Sequence, residues 1–276
     1  MTLITRKFFN SAAVLAFAAL AFGSSAQAEG NLTVYCSVQE EWCQSMVNEF
    51  QKATGITVAM TRKSSGETFA QVKAESANPK GDVWWGGTGD PHLQAAEEGL
   101  TEAYESPMLA KLHPWAIKQH ETGKGATVGI YLGALGYGYN SELLEQKKIA
   151  APACWADLIK PEFKGEVQIA NPNSSGTAYT FLATMVQILG EEEAFKYMKA
   201  LDGNINQYTK SGAAPAQAAA RGETLVGIAF QHDVITPTIT SSAPIKNVSP
   251  CEGTGFEVGS MSIIKGAPNL DNAKKW

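Results

Sequence analysis

Apolar and polar positions follow two different periods along the chain. The segments "LTVYCS" (32–37), "ITVAMTR" (56–62) and "DVWWGG" (82–87) are short, β-branched or aromatic, and bounded by polar turns, which predicts strands. Between the first two, "QEEWCQSMVNEFQKATG" places Trp42, Met46, Val47 and Phe50 on one helical face, and Gly55 predicts the stop. "GETFAQVKAESA" predicts a second helix. Asp90 followed by Pro91 supplies an expected cap and first helical residue for "HLQAAEEG". Strand, helix, strand, helix, strand predicts a parallel sheet with helices on both faces.

After a looser stretch (104–127), "ATVGIYLGALGYGYN" (126–140) predicts a long strand punctuated by glycine. A second α/β set follows. "GEVQIA" is a strand, and two helices cover 178–202, the first with Tyr179, Leu182, Ala183 and Val186 as its apolar positions. An alanine-rich helix lies near 213–221, and "TLVGIAF" (224–230) is another strand. "FEVGSMSIIKGA" is the last strand, and "NLDNAKKW" reads as a helix just beginning, so a further C-terminal segment is expected. The two α/β sets on either side of a glycine-rich strand favour two lobes over one large domain.

The N-terminus changes the picture of where the fold begins. Arg6 and Lys7, then "AAVLAFAALAF", then Ala26-Gln27-Ala28 form the three-part pattern of a secretory signal peptide over residues 1–28, with cleavage before Glu29. The apolar run is short for a membrane anchor, which needs about 20 residues. The formal charge is −5 for the whole chain, and without the leader 20 basic residues face 27 acidic ones. No basic tract remains, so nucleic acid is not an expected partner. Backbone N–H groups can still bind an anion within an acidic protein.

All four cysteines follow the leader, and an even count in an exported chain favours disulfides. Three pairings are open. Cys36 ends a strand and Cys43 lies in the first turn of the next helix, so Cys36–Cys43 is geometrically easy and leaves Cys154–Cys251. Metal binding is the alternative, but zinc-ligand spacing is missing. No G-x-S-x-G, H-E-x-x-H, P-loop or G-x-G-x-x-G helix start occurs, so no enzyme class is named. His92, His113 and His120 fall in polar helix or loop context. A hydrolase using His232 and Asp233 would lack an identifiable nucleophile.

Taken together, "NLTVYCS", "GDVWWGG", "GALGYGYN", "WADLIKPEFKGEVQIANPNSSGTAY", "GETLVGIAFQHD" and "GTGFEVGSMSIIKGAPNLDNAKKW" resemble the periplasmic solute-binding proteins of ABC importers. The resemblance runs from residue 31 to 276, within the ferric-binding-protein-like set and nearest to its hexose-phosphate-binding members. It implies a two-lobed α/β fold, the type II periplasmic-binding-protein fold, each lobe a sheet flanked by helices with a hinge between. The implied lobes are 29–134 plus 256–276, and 135–255. The implied protein is a periplasmic monomer without cofactor. It would bind a small anionic ligand, a sugar phosphate, and deliver it to a membrane permease. Ferric iron is the alternative cargo. Ferric binders carry adjacent tyrosines near the "QHD" region, and this chain has no Tyr-Tyr pair.

Ligands of open α/β sheets bind beyond the carboxyl ends of strands, where loops lead into helices. Small residues at such helix starts let an anion approach N–H groups that carry about half a positive charge together. Four such loops stand out, giving Ser37, then Ser64 and Ser65, then Gly87 and Thr88, then Ser174, Ser175, Gly176 and Thr177, and the resemblance implies that the last of them faces the cleft. Each also reads as an ordinary cap or tight turn. Of Trp84 and Trp85, alternating across a strand, one is expected in the core and the other at the cleft edge. His232 and Asp233 offer donors and acceptors suited to sugar hydroxyls. Glu257 stands between two readings, a sugar acceptor or an inter-lobe hydrogen bond at the hinge.

Overall fold

The structure is a computed structural model that describes residues 30–276. The expected leader, 1–28, lies outside the described residues. The strands are β1 (Asn31–Cys36), β2 (Thr57–Arg62), β3 (Val83–Thr88), β4 (Thr101–Glu102), β5 (Val128–Asn140), β6 (Val167–Ala170), β7 (Ile205–Thr209), β8 (Val226–Phe230), β9 (Ile245–Val248) and β10 (Phe256–Ile264). The helices are α1 (Glu40–Thr54), α2 (Ser65–Ala74), α3 (Gly89–Glu97), α4 (Pro114–Thr122), α5 (Ser141–Lys147), α6 (Gly176–Leu189), α7 (Glu191–Asp202), α8 (Ala214–Ala220), α9 (Gln231–Ser241) and α10 (Leu270–Ala273).

The strands join in the order β2-β1-β3-β10-β5-β8-β6-β7, with β4 on β10 and β9 on β5. β1, β2 and β3 are parallel, as strand–helix alternation predicts, and β10 runs antiparallel beside β3. β5 is the strand common to two halves of the sheet. Its residues 128–134 pair with β10, and its residues 135–139 pair with β8. Each half has its own buried cluster, one around Leu32, Val34, Phe50 and Trp85, the other around Tyr137, Trp155, Phe181 and Ile228. Helices pack against both halves of this sheet in a mixed α/β architecture.

Several elements differ from their sequence expectation. α3 starts one residue before Asp90, with Thr88 as its N-cap, so Asp90 and Pro91 lie inside the first turn. The stretch 104–127 contains α4, which begins on Pro114, where a missing N–H costs nothing. α6 buries Ala178, Phe181 and Met185, while Tyr179 is 49% exposed. That helix is apolar nearly all round, so its period does not select a face. α9 was not anticipated at all. Its Thr-rich sequence has low helix propensity and Pro237 removes one internal donor, yet the threonines bond back along the helix, Thr236 to the carbonyl of His232 and Thr240 to that of Thr236. Gly55 does stop α1, at φ +72°, donating its N–H to Gln51.

The disulfides are Cys36–Cys43 and Cys154–Cys251, with Cα atoms 6.1 and 4.7 Å apart. The first closes a short loop that contains Ser37, Val38 and Gln39. The second ties the start of the second half to the segment that leads back into β10. No helix among the described residues is long and apolar enough to cross a membrane.

Candidate functional site

A cavity between the two halves is lined by the starts of six helices. Val38 and Gln39 precede α1, Ser64 and Ser65 open α2, and Thr88 caps α3. Ser175, Gly176 and Thr177 open α6, Gly212 and Ala213 precede α8, and Phe230, His232 and Asp233 belong to the start of α9. Strand ends supply Arg62, Gly87 and Glu257, and the interior of β5 supplies Tyr131. The parallel strands of each half point their carboxyl ends here, which brings the following helices in by their positive ends.

The first side of the lining is built from small groups packed closely. Gly86 and Gly87 have φ of +76° and +87°, and a Cβ on Gly87 would stand 2.3 Å from Ser65 Oγ and 2.8 Å from Ser37 Cβ. Only glycine combines that backbone with that proximity. Ser37 Oγ receives the Trp84 indole N–H at 3.0 Å and lies 3.0 Å from Thr68 Oγ1. His92 is fully buried, not in the polar setting expected of it. It stacks on Trp84 at 3.8 Å and bonds Ser262 Oγ and the Gly86 carbonyl, which holds the glycine turn. Burial lowers its pKa to about 3, so it is neutral. Trp84 and Trp85 are both core residues, at 0% and 9% exposure, so neither edges the cleft. Trp84 acts through Ser37 and through the stacked His92.

The second side consists of larger groups that titrate. His232 lies between the Phe230 ring at 5.6 Å and Trp42 at 5.4 Å, with Tyr131 edge-on at 6.1 Å. Burial lowers its pKa to about 4. Burial raises Asp233 to about 7, against a Gln39 hydrogen bond and the Arg62 charge, which favour its ionised form. Burial also holds Glu257 well above the usual carboxylate range, and the nearby Asp233 adds to this. Tyr131 accepts the Gly87 N–H at 3.2 Å, and its pKa is driven upward by burial and by Glu257. At neutral pH the imidazole is therefore uncharged, burial favours the neutral form of Glu257, and Arg62 is the cation of the lining. Raised in this direction, the two acids repel an anion less than two fully ionised carboxylates would.

The halves touch across this cavity. Gly66 N–H donates to the Ser174 carbonyl at 3.0 Å, Ser64 Oγ to the Lys210 carbonyl at 2.9 Å, and Arg62 Nη2 to Ser211 Oγ at 3.0 Å. Gln39 Nε2 donates to Asp233 Oδ1. A Cβ on Gly176 would stand 1.5 Å from Thr88 Oγ1 and 2.7 Å from Thr88 Cβ, so this approach needs glycine. The Oε1 of Gln39 is buried without a partner, a state that costs about 1–3 kcal/mol until a donor reaches it.

Of the residues that the sequence singled out, Ser37, Ser64, Ser65, Gly87, Thr88, Ser175, Gly176, Thr177, His232, Asp233 and Glu257 line the cavity. Ser174 does not. Its Oγ bonds the carbonyls of Asn171 and Lys210, and it takes part through its backbone. Sequence reasoning missed Gln39, Arg62 and Tyr131. Arg62 carried a usable signal, since it is the last residue of a parallel strand and so lies at the ligand end of the sheet. Among the described residues, the three-residue group with metal-ligand proximity is Cys154, Cys251 and Glu252, whose cysteines are already joined to each other.

Residues 85–276 match the family model of the bacterial extracellular solute-binding proteins. An uncharacterised protein of Haemophilus influenzae is 48% identical over 96% of this chain and 76% of its own length. The periplasmic binding protein AfuA of Actinobacillus pleuropneumoniae, solved with exogenous fructose-6-phosphate bound, is similar at 47% identity and a TM-score of 0.84, over 89% of this chain and 77% of that one. The periplasmic binding protein P5PA is similar at 43% identity and a TM-score of 0.85, over 89% of this chain and 78% of that one. The fold is that of the type II periplasmic binding proteins. The chain belongs to the bacterial extracellular solute-binding proteins.

Proposed function

We propose that this solute-binding component of an ABC importer takes a small phosphorylated sugar, a hexose phosphate, between two lobes formed by 29–134 with 256–276 and by 135–255. One observation carries the reading. The starts of six helices and Arg62 converge on the same cavity as Tyr131, His232, Asp233 and Glu257. The helix starts and Arg62 suit a phosphate, which carries no donor of its own as a dianion. Neutral His232 and the carboxyl groups suit hydroxyls, which both donate and accept. The similarity to AfuA, solved with fructose-6-phosphate, supports the same reading.

The protein acts in the periplasm as a monomer, and its direct contacts between halves are those of a closed shell. It returns its ligand unchanged and hands it to a membrane permease. A ligand shifts the balance toward closure only by its preference for the closed form. Loaded protein should therefore stimulate ATP hydrolysis by its reconstituted transporter more than empty protein does.

Calorimetry with fructose 6-phosphate, glucose 6-phosphate, the free sugars and ferric citrate tests the reading. Heat from the phosphorylated hexoses alone is the expected result. Iron binding with charge-transfer colour, and no heat from the sugar phosphates, would replace it with the ferric reading. Conversion of a bound sugar phosphate to product would replace it with an enzyme.

A further inference from the structure

Gln39 occupies the N-cap of α1, at φ −61° and ψ 146°, yet its side chain makes no capping bond. Glutamine is not among the residues favoured there, whose short side chains reach the helix N–H groups. Its side chain instead crosses to the other half of the molecule, where Nε2 donates to Asp233, 194 residues away. With Nε2 facing that carboxylate, Oε1 is left as the free acceptor. It is buried, without a partner, and belongs to a side chain that lines the cavity. The backbone beneath it is fixed on both flanks, by the Cys36–Cys43 bridge and by the Arg62 Nε bond to the Val38 carbonyl at 2.8 Å. The side chain is thus held in place with one acceptor open.

We propose that Gln39 is a specificity-determining residue, whose Oε1 accepts a hydrogen bond from a ligand hydroxyl while its Nε2 orients Asp233 to accept from a neighbouring one. This rests on the sugar-phosphate reading of the cavity. A phosphate dianion has no proton to offer Oε1, so Gln39 reads the sugar and not the phosphate. A site built around a buried acceptor rejects an analogue that lacks the matching donor, because the acceptor is then left unpaired in the closed form.

The test is calorimetry on wild type and Gln39→Met, with fructose 6-phosphate and a set of its monodeoxy analogues. Methionine keeps the length of the side chain and removes both polar ends. Wild type should lose about tenfold or more in affinity for one or two of the analogues. Gln39→Met should lose a similar factor for the parent sugar phosphate and lose nothing further for those same analogues. Equal affinity of variant and wild type for the parent would overturn the proposal while leaving the sugar-phosphate reading intact. So would a uniform loss across every analogue, which would make Gln39 only a support for Asp233 or for closure. If wild type binds no hexose phosphate at all, both fall. Melting of the ligand-free variant at or above the wild-type temperature would show that any loss is not misfolding.

Discussion

The cavity has two kinds of wall, and they are made differently. Ser64, Ser65, Thr88, Ser175 and Gly176 present backbone N–H groups and small hydroxyls at helix starts, held apart only by glycines. Gln39, Tyr131, His232, Asp233 and Glu257 present long, mostly titratable side chains, buried at Gln39, Asp233 and Glu257 and half-buried at Tyr131 and His232. In the first wall each group has several equivalents, so no single hydroxyl is decisive. In the second, each group has a distinct partner and a distinct protonation state, so single changes should be felt strongly. On the proposed reading, the second wall would set specificity and the first anion affinity.

The sharpest test of that difference is pH. Asp233 is raised to about 7 by burial, above its ordinary 3.8, so the folded protein holds a proton that the unfolded chain releases. Its contribution to stability is full below about pH 4 and is lost as pH rises toward 7, by up to on the order of 4 kcal/mol. Glu257, raised in the same direction by burial, adds to the loss. Asp233→Asn stays neutral throughout. Relative to wild type, it should gain melting temperature steadily from pH 4 to pH 8, measured without ligand. Parallel melting curves across that range would show that Asp233 is not held protonated.

Next comes removal of the same side chain. Asp233→Ala should cost about 2–4 kcal/mol of sugar-phosphate affinity by calorimetry, since ligand donors and Gln39 Nε2 would both lose their acceptor. A loss below tenfold would place the sugar elsewhere in the cavity. Gly176→Ala tests the first wall where it is least replaceable. A Cβ there meets buried Thr88 in the opposite half, so it should cost about 1–3 kcal/mol, borne by the closed form. Scattering from the ligand-saturated variant should show a larger radius of gyration than wild type. An unchanged radius with unchanged affinity would mean that Thr88 simply turns aside.

The first wall was legible because strand–turn–helix boundaries mark themselves with Ser, Gly and Thr, and the ends of parallel strands must face one side. The second wall was legible only at His232, Asp233 and Glu257, the first two because a His beside an Asp follows directly on an apolar strand. The helix that carries the first two, α9, hides behind Thr-rich sequence and an internal proline. Gln39 and Tyr131 gave no local sign. Gln39 matters because its side chain meets one 194 residues away, and Tyr131 because Gly259 leaves room for its ring, where a Cβ would stand 2.1 Å from Cζ. Long-range closure of this kind leaves no period or spacing in the sequence. The pairing of β10 with β3 was equally hidden, since nothing in an isolated strand names its neighbour.

The smallest expected effect is at Ser174, and it separates a residue in the right loop from a residue in the site. Its Oγ bonds two backbone carbonyls, at 3.2 and 3.3 Å, and does not line the cavity. Its carbonyl receives the Gly66 N–H across the halves at 3.0 Å, and alanine keeps that carbonyl. Ser174→Ala should therefore weaken sugar-phosphate binding by about 1 kcal/mol or less, through slight loosening of the 210–213 loop. The loss should fall equally on every hexose phosphate and on its deoxy analogues, since no ligand group is read here. A larger or sugar-dependent loss would mean that the Ser174 hydroxyl turns into the cavity when the ligand arrives, and the division between the two walls would have to be redrawn through this loop.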